Sequence, residues 1–400
     1  MKYIVIVPDG MADNPIPALG GKTPLEAARR TNMDFLAKNG SVGVVRTIPE
    51  GMAAGSDVGN MSLLGYDPRK YLAGRAALEA ASMDLQLSLD EVAFRTNLVT
   101  IFDNVMEDYS AGHIKTKEAA VLVEELNKSL STKDIRFVAG KSYRHLAVIK
   151  SSDPQNYLKL KTTPPHDILG KEIGAFLPKG MHSEDIIKLM EQSKEVLKSH
   201  PINQVRIDLK ENPANMIWLW GQGVKPTLPS FKEKYGLDGG IISAVDLVNG
   251  IGKTIGLEII KVPGITGYYD TNYLGKAEYA LSALKKKDFV FIHIEAPDEA
   301  GHNGDIRAKI EAIEQIDKNI VGTILNHFSE TDDVRIMVLP DHQTPIELRT
   351  HTDKPVGVVL WGKNIPHDGG EEFTEKSAEE KELRFDNGED LMNYFTKKHL

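Results

Sequence analysis

Carboxylate and imidazole side chains recur in this sequence where apolar, β-rich runs end. Asp9 follows the run Ile4–Val7, and two later runs open into Glu295–His302 and Pro340–His342. In an open parallel sheet, the carboxyl ends of the strands form one crevice in which ligands bind. The sequence therefore predicts that one edge of a sheet gathers six side chains: Asp9, Asp298, His302, Asp341, His342 and His351.

This combination of residue types is suited to binding divalent cations. A single aspartate at a strand end more often forms a turn or caps a helix, and a lone histidine is more often structural. Asp298 and His302, however, are four residues apart and would face one side of a helical turn. Three carboxylates and three imidazoles can hold two cations once a hydroxyl or water is added. Paired cations stabilise the entering and leaving oxygens in phosphoryl transfer, so the pattern predicts a two-metal phosphotransfer enzyme.

A nucleophile for that reaction is predicted at Ser56. The small-residue loop 51–60 contains this serine and runs into the helical segment Met61–Leu64. One alternative is that Ser56 only caps the helix. The amides and dipole of a helix N-terminus also favour a bound phosphate, and coordination to a cation would make the hydroxyl ionise near neutral pH.

The composition excludes several other classes of protein. The 400 residues include no cysteine, which excludes disulfides, thiolate metal sites, iron–sulfur clusters and a cysteine nucleophile. Oxygen and nitrogen ligands favour Mn²⁺, Mg²⁺ or Zn²⁺. The net charge of −9 makes nucleic acid and anionic membranes poor partners. No run reaches the ~20 apolar residues of a membrane span, and the first residues resemble a strand more than a signal peptide, so a cytoplasmic location is expected.

Apolar runs alternate with helical patterns, which predicts an α/β domain with a mainly parallel sheet flanked by helices. The helix Pro24–Asn39 is the clearest, since Thr23 and Glu26 form a capping box before it. Two further helical stretches are predicted at Asn272–Lys287 and Asp305–Phe328. The predicted strands are Tyr3–Val7, Met216–Trp220, Glu258–Val262, Asp288–Ile294, Val334–Leu339 and Val356–Trp361.

The middle of the chain has a different pattern. Short β-rich runs there lie beside two helical segments, and proline-containing loops separate them. We expect a smaller α+β domain at 92–212 that is inserted into the larger domain and covers the substrate. The larger, metal-binding domain would then consist of 1–91 and 213–400. The elements predicted for the insert are Ala93–Phe102, Lys115–Leu130, Ile135–Ala139, His145–Ile149 and Ser183–His200.

Four segments resemble the alkaline phosphatase superfamily and, more narrowly, the archaeal-type, 2,3-bisphosphoglycerate-independent phosphoglycerate mutases. These segments are Val7–Gly10, Gly55–Val58, Glu295–His302 and Pro340–His342, and weaker similarity covers nearly the whole chain. The resemblance implies an alkaline-phosphatase-like fold. It also implies an isomerase of glycolysis and gluconeogenesis that interconverts 2- and 3-phosphoglycerate through a phosphoserine at Ser56.

The resemblance also implies two sets of metal ligands. One ion would be held by Asp9, Ser56, Asp341 and His342, and the other by Asp298, His302 and His351. Mn²⁺ is the expected metal, with Mg²⁺, Zn²⁺ and Co²⁺ as alternatives. The longer bacterial branch of the family has a histidine where this chain has Asn60. The candidate cationic contacts for the small anionic substrate are Arg75, His113, Arg144 and Lys276.

Other activities remain open on the sequence alone. A metal-dependent phosphatase or sulfatase, or a sugar-phosphate mutase, could use the same scaffold. A kinase is disfavoured, because Gly250–Thr254 resembles the end of a nucleotide-binding loop but Leu247 stands where that loop needs glycine. A protein that binds metal structurally without catalysis would leave the serine among the ligands unexplained.

Overall fold

The computed structural model describes residues 1–329, 331–368 and 370–397. The chain divides into two compact units, of which the larger comprises Met1–Leu72 and Thr227–Leu400 and the smaller comprises Ala73–Pro226. The smaller unit is thus an insertion between two segments that fold together.

The described residues form thirteen strands. In chain order, β1 to β13 are Lys2–Pro8, Ser41–Val45, Glu91–Phe102, Val105–Asp108, Ile135–Val138, Arg144–Lys150, Met216–Val224, Gly239–Ile242, Glu258–Ile259, Phe289–Ile294, Val334–Val338, Val356–Gly362 and Arg384–Phe385.

Seventeen α-helices accompany them in the described part of the chain. In chain order, α1 to α17 are Pro24–Ala27, Thr31–Lys38, Ser56–Leu63, Pro68–Tyr71, Arg75–Ser82, Thr116–Leu130, Pro154–Tyr157, Ser183–Leu197, Pro201–Asp208, Phe231–Tyr235, Asp246–Thr254, Tyr273–Leu284, Ala296–Asn303, Ile306–Ile316, Gly322–Leu325, Glu375–Glu379 and Gly388–Thr396. A π turn, Asp317–Val321, joins α14 to α15. None of the helices in these residues combines the length and apolar character that crossing a bilayer requires.

The larger unit contains an eight-stranded sheet in the order β13-β2-β12-β11-β1-β10-β8-β9. The pairs β11–β1, β1–β10, β10–β8, β8–β9 and β13–β2 are parallel, whereas β12 is antiparallel to both of its neighbours. The prediction of an α/β domain with a mainly parallel sheet is therefore confirmed.

The central strands of this sheet are buried on both faces, as parallel strands between helices are. On one face, Ile4 and Ile6 of β1 join a core that includes Leu36 of α2 and Ile316 of α14. On the other face, the ring of Tyr3 packs at 5.6 Å against Phe395 of α17. Packing on both faces fixes the positions of the strands relative to one another. A site built from residues at several strand ends requires this.

The smaller unit contains an antiparallel sheet in which β3 pairs with β4, β6 and β7, and β5 extends it beyond β6. Helices α6 and α8 pack on it through buried residues such as Leu122 and Leu189. The α+β character predicted for the inserted segment matches this architecture.

Two local predictions differ from the structure. The predicted helix Pro24–Asn39 is interrupted, because Ala28 is extended at φ −71° and ψ 148° and ends α1 before α2 begins at Thr31. The predicted capping box of Thr23 and Glu26 is present. Strands β2, β4, β8 and β13 were not predicted; all four are short, and β2 and β8 contain glycines, so their local pattern is weak.

The limits of the smaller unit lie outside the expected 92–212. Helix α5 packs on β3 and β7, so the unit begins at Ala73 rather than near 92. Strand β7, which the sequence assigns to the larger domain, pairs antiparallel with β3 of the smaller unit. Strand pairing between distant segments is a tertiary property, and the local sequence of Met216–Val224 does not reveal which sheet it joins.

Candidate functional site

Three neighbouring parallel strands bring the predicted residues to one edge of the large sheet. Asp9 follows β1, Asp341 follows β11, and α13, which carries Asp298 and His302, follows β10. Strand β12 runs antiparallel to β11, so the start of β12, and His351 before it, lie at this same edge.

A first group of side chains surrounds Asp9. The Nε2 atom of His342 lies 3.5 Å from Asp9 Oδ1 and 3.5 Å from Asp341 Oδ2. The Oγ atom of Ser56 lies 3.4 Å from Asp9 Oδ2 and 3.3 Å from His342 Nε2. Carboxylate, imidazole and hydroxyl groups that converge in this way can surround a single cation.

A second group surrounds Asp298. His302 Nε2 lies 3.2 Å from Asp298 Oδ2, and His351 Nε2 lies 3.4 Å from Asp298 Oδ1. The two imidazole Nε2 atoms are 2.9 Å apart. Two lone pairs at this distance repel each other unless a proton or a cation lies between them.

Hydrogen bonds to the other ring nitrogen orient both of these imidazoles. His302 Nδ1 lies 3.0 Å from the carbonyl oxygen of Arg349, and His351 Nδ1 lies 3.4 Å from that of Ala54. Because a carbonyl oxygen only accepts, Nδ1 carries a hydrogen in each ring, and Nε2 is the ring nitrogen that faces the group. Metal-binding histidines are commonly held by such a partner.

Ser56 is the first residue of α3, at a helix end that faces the first group. Gly55 occupies the N-cap position, and no side chain caps this helix. The Ser56 hydroxyl instead points to Asp9 and His342, so the structure does not support the alternative that it serves as a cap. One turn later, Asn60 Nδ2 donates to Ser56 O at 2.9 Å and to Asp341 Oδ2 at 2.8 Å.

Three residues of this site were not predicted from the sequence. His293 Nε2 lies 2.9 Å from Asp9 Oδ2, and a carboxylate oxygen of Glu295 lies within 4.8 Å of oxygens of Asp9 and Asp298. Thr344 Oγ1 donates to Asp298 and lies 3.2 Å from His342 Nδ1, so it joins the two groups. His293 is the polar residue in the otherwise apolar run Phe289–Ile294. A histidine in such a run is the sequence feature that could have suggested a role in the site.

The site concentrates negative charge in a buried place. Burial, and then the charges of Asp341, Glu295 and Asp298, raise the pKa of Asp9 well above its usual range. Burial also raises the pKa of Glu295 to about 8. The hydrogen bond with Asp298 raises the pKa of His302 to about 9, so this imidazole holds a proton at neutral pH. The site therefore favours any added positive charge.

The donor set fits a divalent cation. Asp9 Oδ1, Asn60 Oδ1 and Glu295 Oε2 are buried and have no hydrogen-bond partner among the described residues. Three overlapping groups have ligand atoms close enough to hold a metal ion: Asp298, His342 and His351; Asp9, His293 and Asp341; and Asp9, Glu295 and Asp298. Oxygen and nitrogen donors of this kind suit divalent cations.

Three of the four predicted substrate contacts lie in the smaller unit. His113 and Arg144 share a neighbour there, since the His113 ring lies 6.0 Å and the Arg144 guanidinium 5.6 Å from the ring of Tyr143. Arg75 begins α5. Burial lowers the pKa of Arg95, its ion-pair partner Glu79 at 2.8 Å raises it, and the charges of Arg75 and Arg144 lower it. Arg75 and Arg144 are thus close enough to Arg95 for their charges to lower its pKa.

Lys276, the fourth predicted contact, lies in the larger unit and stays a prediction. Its side chain is 1% exposed, and Nζ donates to the carbonyl oxygen of His293 at 2.6 Å. One donor of this buried amine is therefore used by the main chain. The sequence shows Lys276 as a cation in a predicted helix. It does not show that the side chain is buried, because burial depends on tertiary packing.

A family model described as 2,3-bisphosphoglycerate-independent phosphoglycerate mutase matches residues 37–203. The chain is 48% identical over 393 residues to a protein of that name from Methanothrix thermoacetophila, with 98% of each chain covered.

Two solved structures share the fold. One is a protein of Pyrococcus horikoshii, with a TM-score of 0.83, 31% identity, and coverage of 98% of this chain and 96% of the other. The second is the cofactor-independent phosphoglycerate mutase of Thermoplasma acidophilum, with a TM-score of 0.70, 27% identity and 99% coverage of both chains.

The contact between α3 and the Asp341 loop yields a first prediction. A Cβ atom at Gly59 would lie 2.7 Å from the Asp341 carbonyl oxygen. Gly59→Ala must therefore push the helix of Ser56 away from the loop, and we expect a loss of about 1–3 kcal/mol in unfolding free energy. Denaturant titration measures this loss of unfolding free energy. Gly174→Ala, where a Cβ meets no atom within 4 Å, is the matched control. Equal stability of the two variants would contradict this packing.

The protonation of His302 yields a second prediction. Because the pKa of His302 is about 9, a cation that binds at pH 7 must displace a proton. Affinity for Mn²⁺ should therefore rise as the pH rises from 7 towards 9. Calorimetric titration in buffers of different ionisation enthalpy should show proton release, and His302→Gln should release fewer protons. A binding enthalpy independent of the buffer would contradict this expectation.

Proposed function

The chain belongs to the 2,3-bisphosphoglycerate-independent phosphoglycerate mutase family, and on this premise we propose that its phosphoryl group passes through Ser56. The enzyme is an isomerase, an intramolecular phosphotransferase that interconverts 2-phosphoglycerate and 3-phosphoglycerate. The proposal concerns the route of the phosphoryl group, the metal ions and the residues that contact the substrate.

The placement of the Ser56 hydroxyl carries the proposal. It lies within 3.4 Å of Asp9 and 3.3 Å of His342, at the first residue of α3. The first amides of a helix have no partner within the helix, and together with the helix dipole they favour a bound anion. A hydroxyl at such a position is well placed to attack a phosphoryl group that those amides hold.

We further propose two divalent cations, with Mn²⁺ as the expected metal. Asp9, Ser56, Asp341 and His342 would hold one ion, and Asp298, His302 and His351 the other. When bound, the ions would neutralise the phosphoryl oxygens and lower the pKa of the serine hydroxyl. The buried acceptors without partners and the orientation of the imidazoles support this assignment.

The proposed reaction needs no other phosphoryl donor. Ser56 Oγ forms a bond to phosphorus while the bond between phosphorus and the glycerate oxygen breaks. The proton that Ser56 loses passes to that glycerate oxygen. In the second half, the other glycerate hydroxyl forms a bond to phosphorus, the Oγ–P bond breaks, and the proton of this hydroxyl returns to Ser56. Water that reached the phosphoserine would convert this isomerisation into hydrolysis.

We propose that Arg75, His113 and Arg144 contact the anionic substrate. Substrate carboxylate and phosphate groups pair well with guanidinium groups, which donate two parallel hydrogen bonds. Arg144 is exposed and begins β6, and its guanidinium lies beside the ring of Tyr143. His113 adopts φ +50°, an uncommon conformation for a residue other than glycine.

Ser56→Ala should abolish the mutase reaction. Without the nucleophile there is no phosphoenzyme, and we expect a loss in kcat of at least about a thousand-fold. The assay adds 3-phosphoglycerate and Mn²⁺ and follows 2-phosphoglycerate and inorganic phosphate together. After acid quenching, label from radioactive phosphoglycerate should be recovered on the peptide that contains Ser56.

Ser62→Ala is the matched control for this experiment, since Ser62 lies on the same helix and its Oγ accepts from Gly388 N at 3.2 Å. It should keep both the isomerisation and the labelled peptide. Isomerisation by Ser56→Ala at the parent rate would rule out the serine route, and release of inorganic phosphate without isomer would indicate a phosphatase.

Arg144→Gln should weaken substrate binding more than it slows turnover. Loss of a charge-assisted hydrogen bond to an anion should raise the KM for 3-phosphoglycerate by about 10- to 100-fold. Steady-state kinetics at saturating Mn²⁺ separate this effect from kcat. Lys133→Gln, an exposed cation of the same unit, is the control and should leave KM unchanged. An unchanged KM for Arg144→Gln would remove Arg144 from the substrate contacts.

A further inference from the structure

A fully buried ammonium group lies beneath the candidate site. Lys309 belongs to α14, its side chain is 0% exposed, and its Nζ lies 2.8 Å from Asp13 Oδ2. The same Nζ lies 2.8 Å from Thr344 O and 3.4 Å from Ala12 O. An ammonium group has three donors, so these three acceptors satisfy it.

The acceptors of Lys309 belong to the two loops that carry the first group of ligands. Ala12 and Asp13 follow Asp9 in the loop after β1. Thr344 lies in the loop after β11, two residues beyond His342. Lys309 itself lies on the helix after α13, which carries the ligands of the second group. One side chain therefore links three segments that supply candidate ligands.

Thr344 extends this link to the side chains of both groups. While its carbonyl oxygen accepts from Lys309, its hydroxyl donates to Asp298 and lies 3.2 Å from His342 Nδ1. A shift of Thr344 would therefore change the orientation of a ligand in each group.

Asp13 is held from its other side as well. Its carboxylate accepts from Ile346 N at 3.1 Å and from Asn14 N at 2.8 Å. Its own amide donates to Glu375 Oε1 at 3.1 Å, and Glu375 Oε2 accepts from Thr23 Oγ1 at 2.7 Å. The ion pair is thus part of a satisfied polar network rather than an isolated pair.

A buried ion pair is seldom the most stable filling for its space, because apolar side chains of similar volume often do as well or better. The presence of such a pair is therefore better explained by the fixed geometry that it gives to its neighbours than by a gain in stability. Groups that orient metal ligands have large effects on affinity even though they do not touch the metal. The contacts of Lys309 are of this kind, since they reach both ligand loops directly and reach Asp298 and His342 only through the Thr344 hydroxyl.

We infer that Lys309, paired with Asp13, is a positioning residue that sets the metal affinity of the site by holding both ligand loops against α14. This inference rests on the proposed function in one respect: it takes the side chains around Asp9 and around Asp298 as metal ligands. It assigns Lys309 no contact with substrate or metal.

The experiment compares three variants by calorimetric titration of metal-free protein with Mn²⁺ alone. Lys309→Met removes the charge and keeps an unbranched side chain that is one atom shorter. The double variant Lys309→Met with Asp13→Asn avoids leaving a buried carboxylate unpaired. Both should bind Mn²⁺ about 10- to 100-fold more weakly than the parent. Denaturant titration of the same metal-free samples measures stability independently, and the double variant should be folded.

Arg335→Met is the matched control. Arg335 is also 0% exposed, and its guanidinium donates to the main-chain oxygens of Lys363, Phe395 and Lys397 near the opposite end of β11. This variant should lose stability and keep the Mn²⁺ affinity of the parent.

The outcomes separate the two proposals. If the parent binds Mn²⁺ and the folded double variant binds it equally well, Lys309 is only structural and this inference is overturned. If the affinity of Arg335→Met falls as much as that of the double variant, the effect reflects general destabilisation, and the inference is again overturned. A parent that binds no Mn²⁺ would overturn the two-metal proposal as well.

Discussion

The burial of several carboxylates in one place is the constraint on which the rest of the larger unit depends. Asp9, Asp298 and Asp341 are almost completely buried, and Glu295 is close to two of them. Removing charged groups from water is costly unless opposite charge or hydrogen bonds compensate. Protons and the histidines provide part of that compensation. Bound cations would add to it, because positive charge reduces the repulsion between the carboxylates.

The sheet topology is what makes such a concentration of charge achievable. Parallel strands β11, β1 and β10 end at one edge, and each is followed by a loop or helix that carries ligands. The antiparallel strand β12 adds His351 because it begins where β11 ends. Packing on both faces of the sheet holds these ends. Glycines at close contacts, such as Gly59 against Asp341, allow the Ser56 helix to approach the ligand loop.

Membership of the mutase family distinguishes this enzyme from hydrolases that could share its site. The chemistry up to a phosphoserine is common to both reactions, and the difference lies in whether glycerate or water receives the phosphoryl group. The arrangement of Asp9, Ser56 and His342 supports the first half of the reaction that we propose. Retention of glycerate for the second half requires anion contacts, for which we propose Arg75, His113 and Arg144.

The sequence by itself determined the class of the sheet and the residue types of the site. Aspartates and histidines after apolar runs, with Asp298 and His302 one helical turn apart, follow from local periodicity, which a single sequence displays directly. Only the tertiary structure decided that His293, Glu295 and Thr344 join the site, that Lys276 is buried, and that β7 belongs to the smaller unit. These facts depend on register and packing between segments far apart in the chain. Local sequence carries no signal for such contacts, because the energy that selects them arises only when distant segments meet.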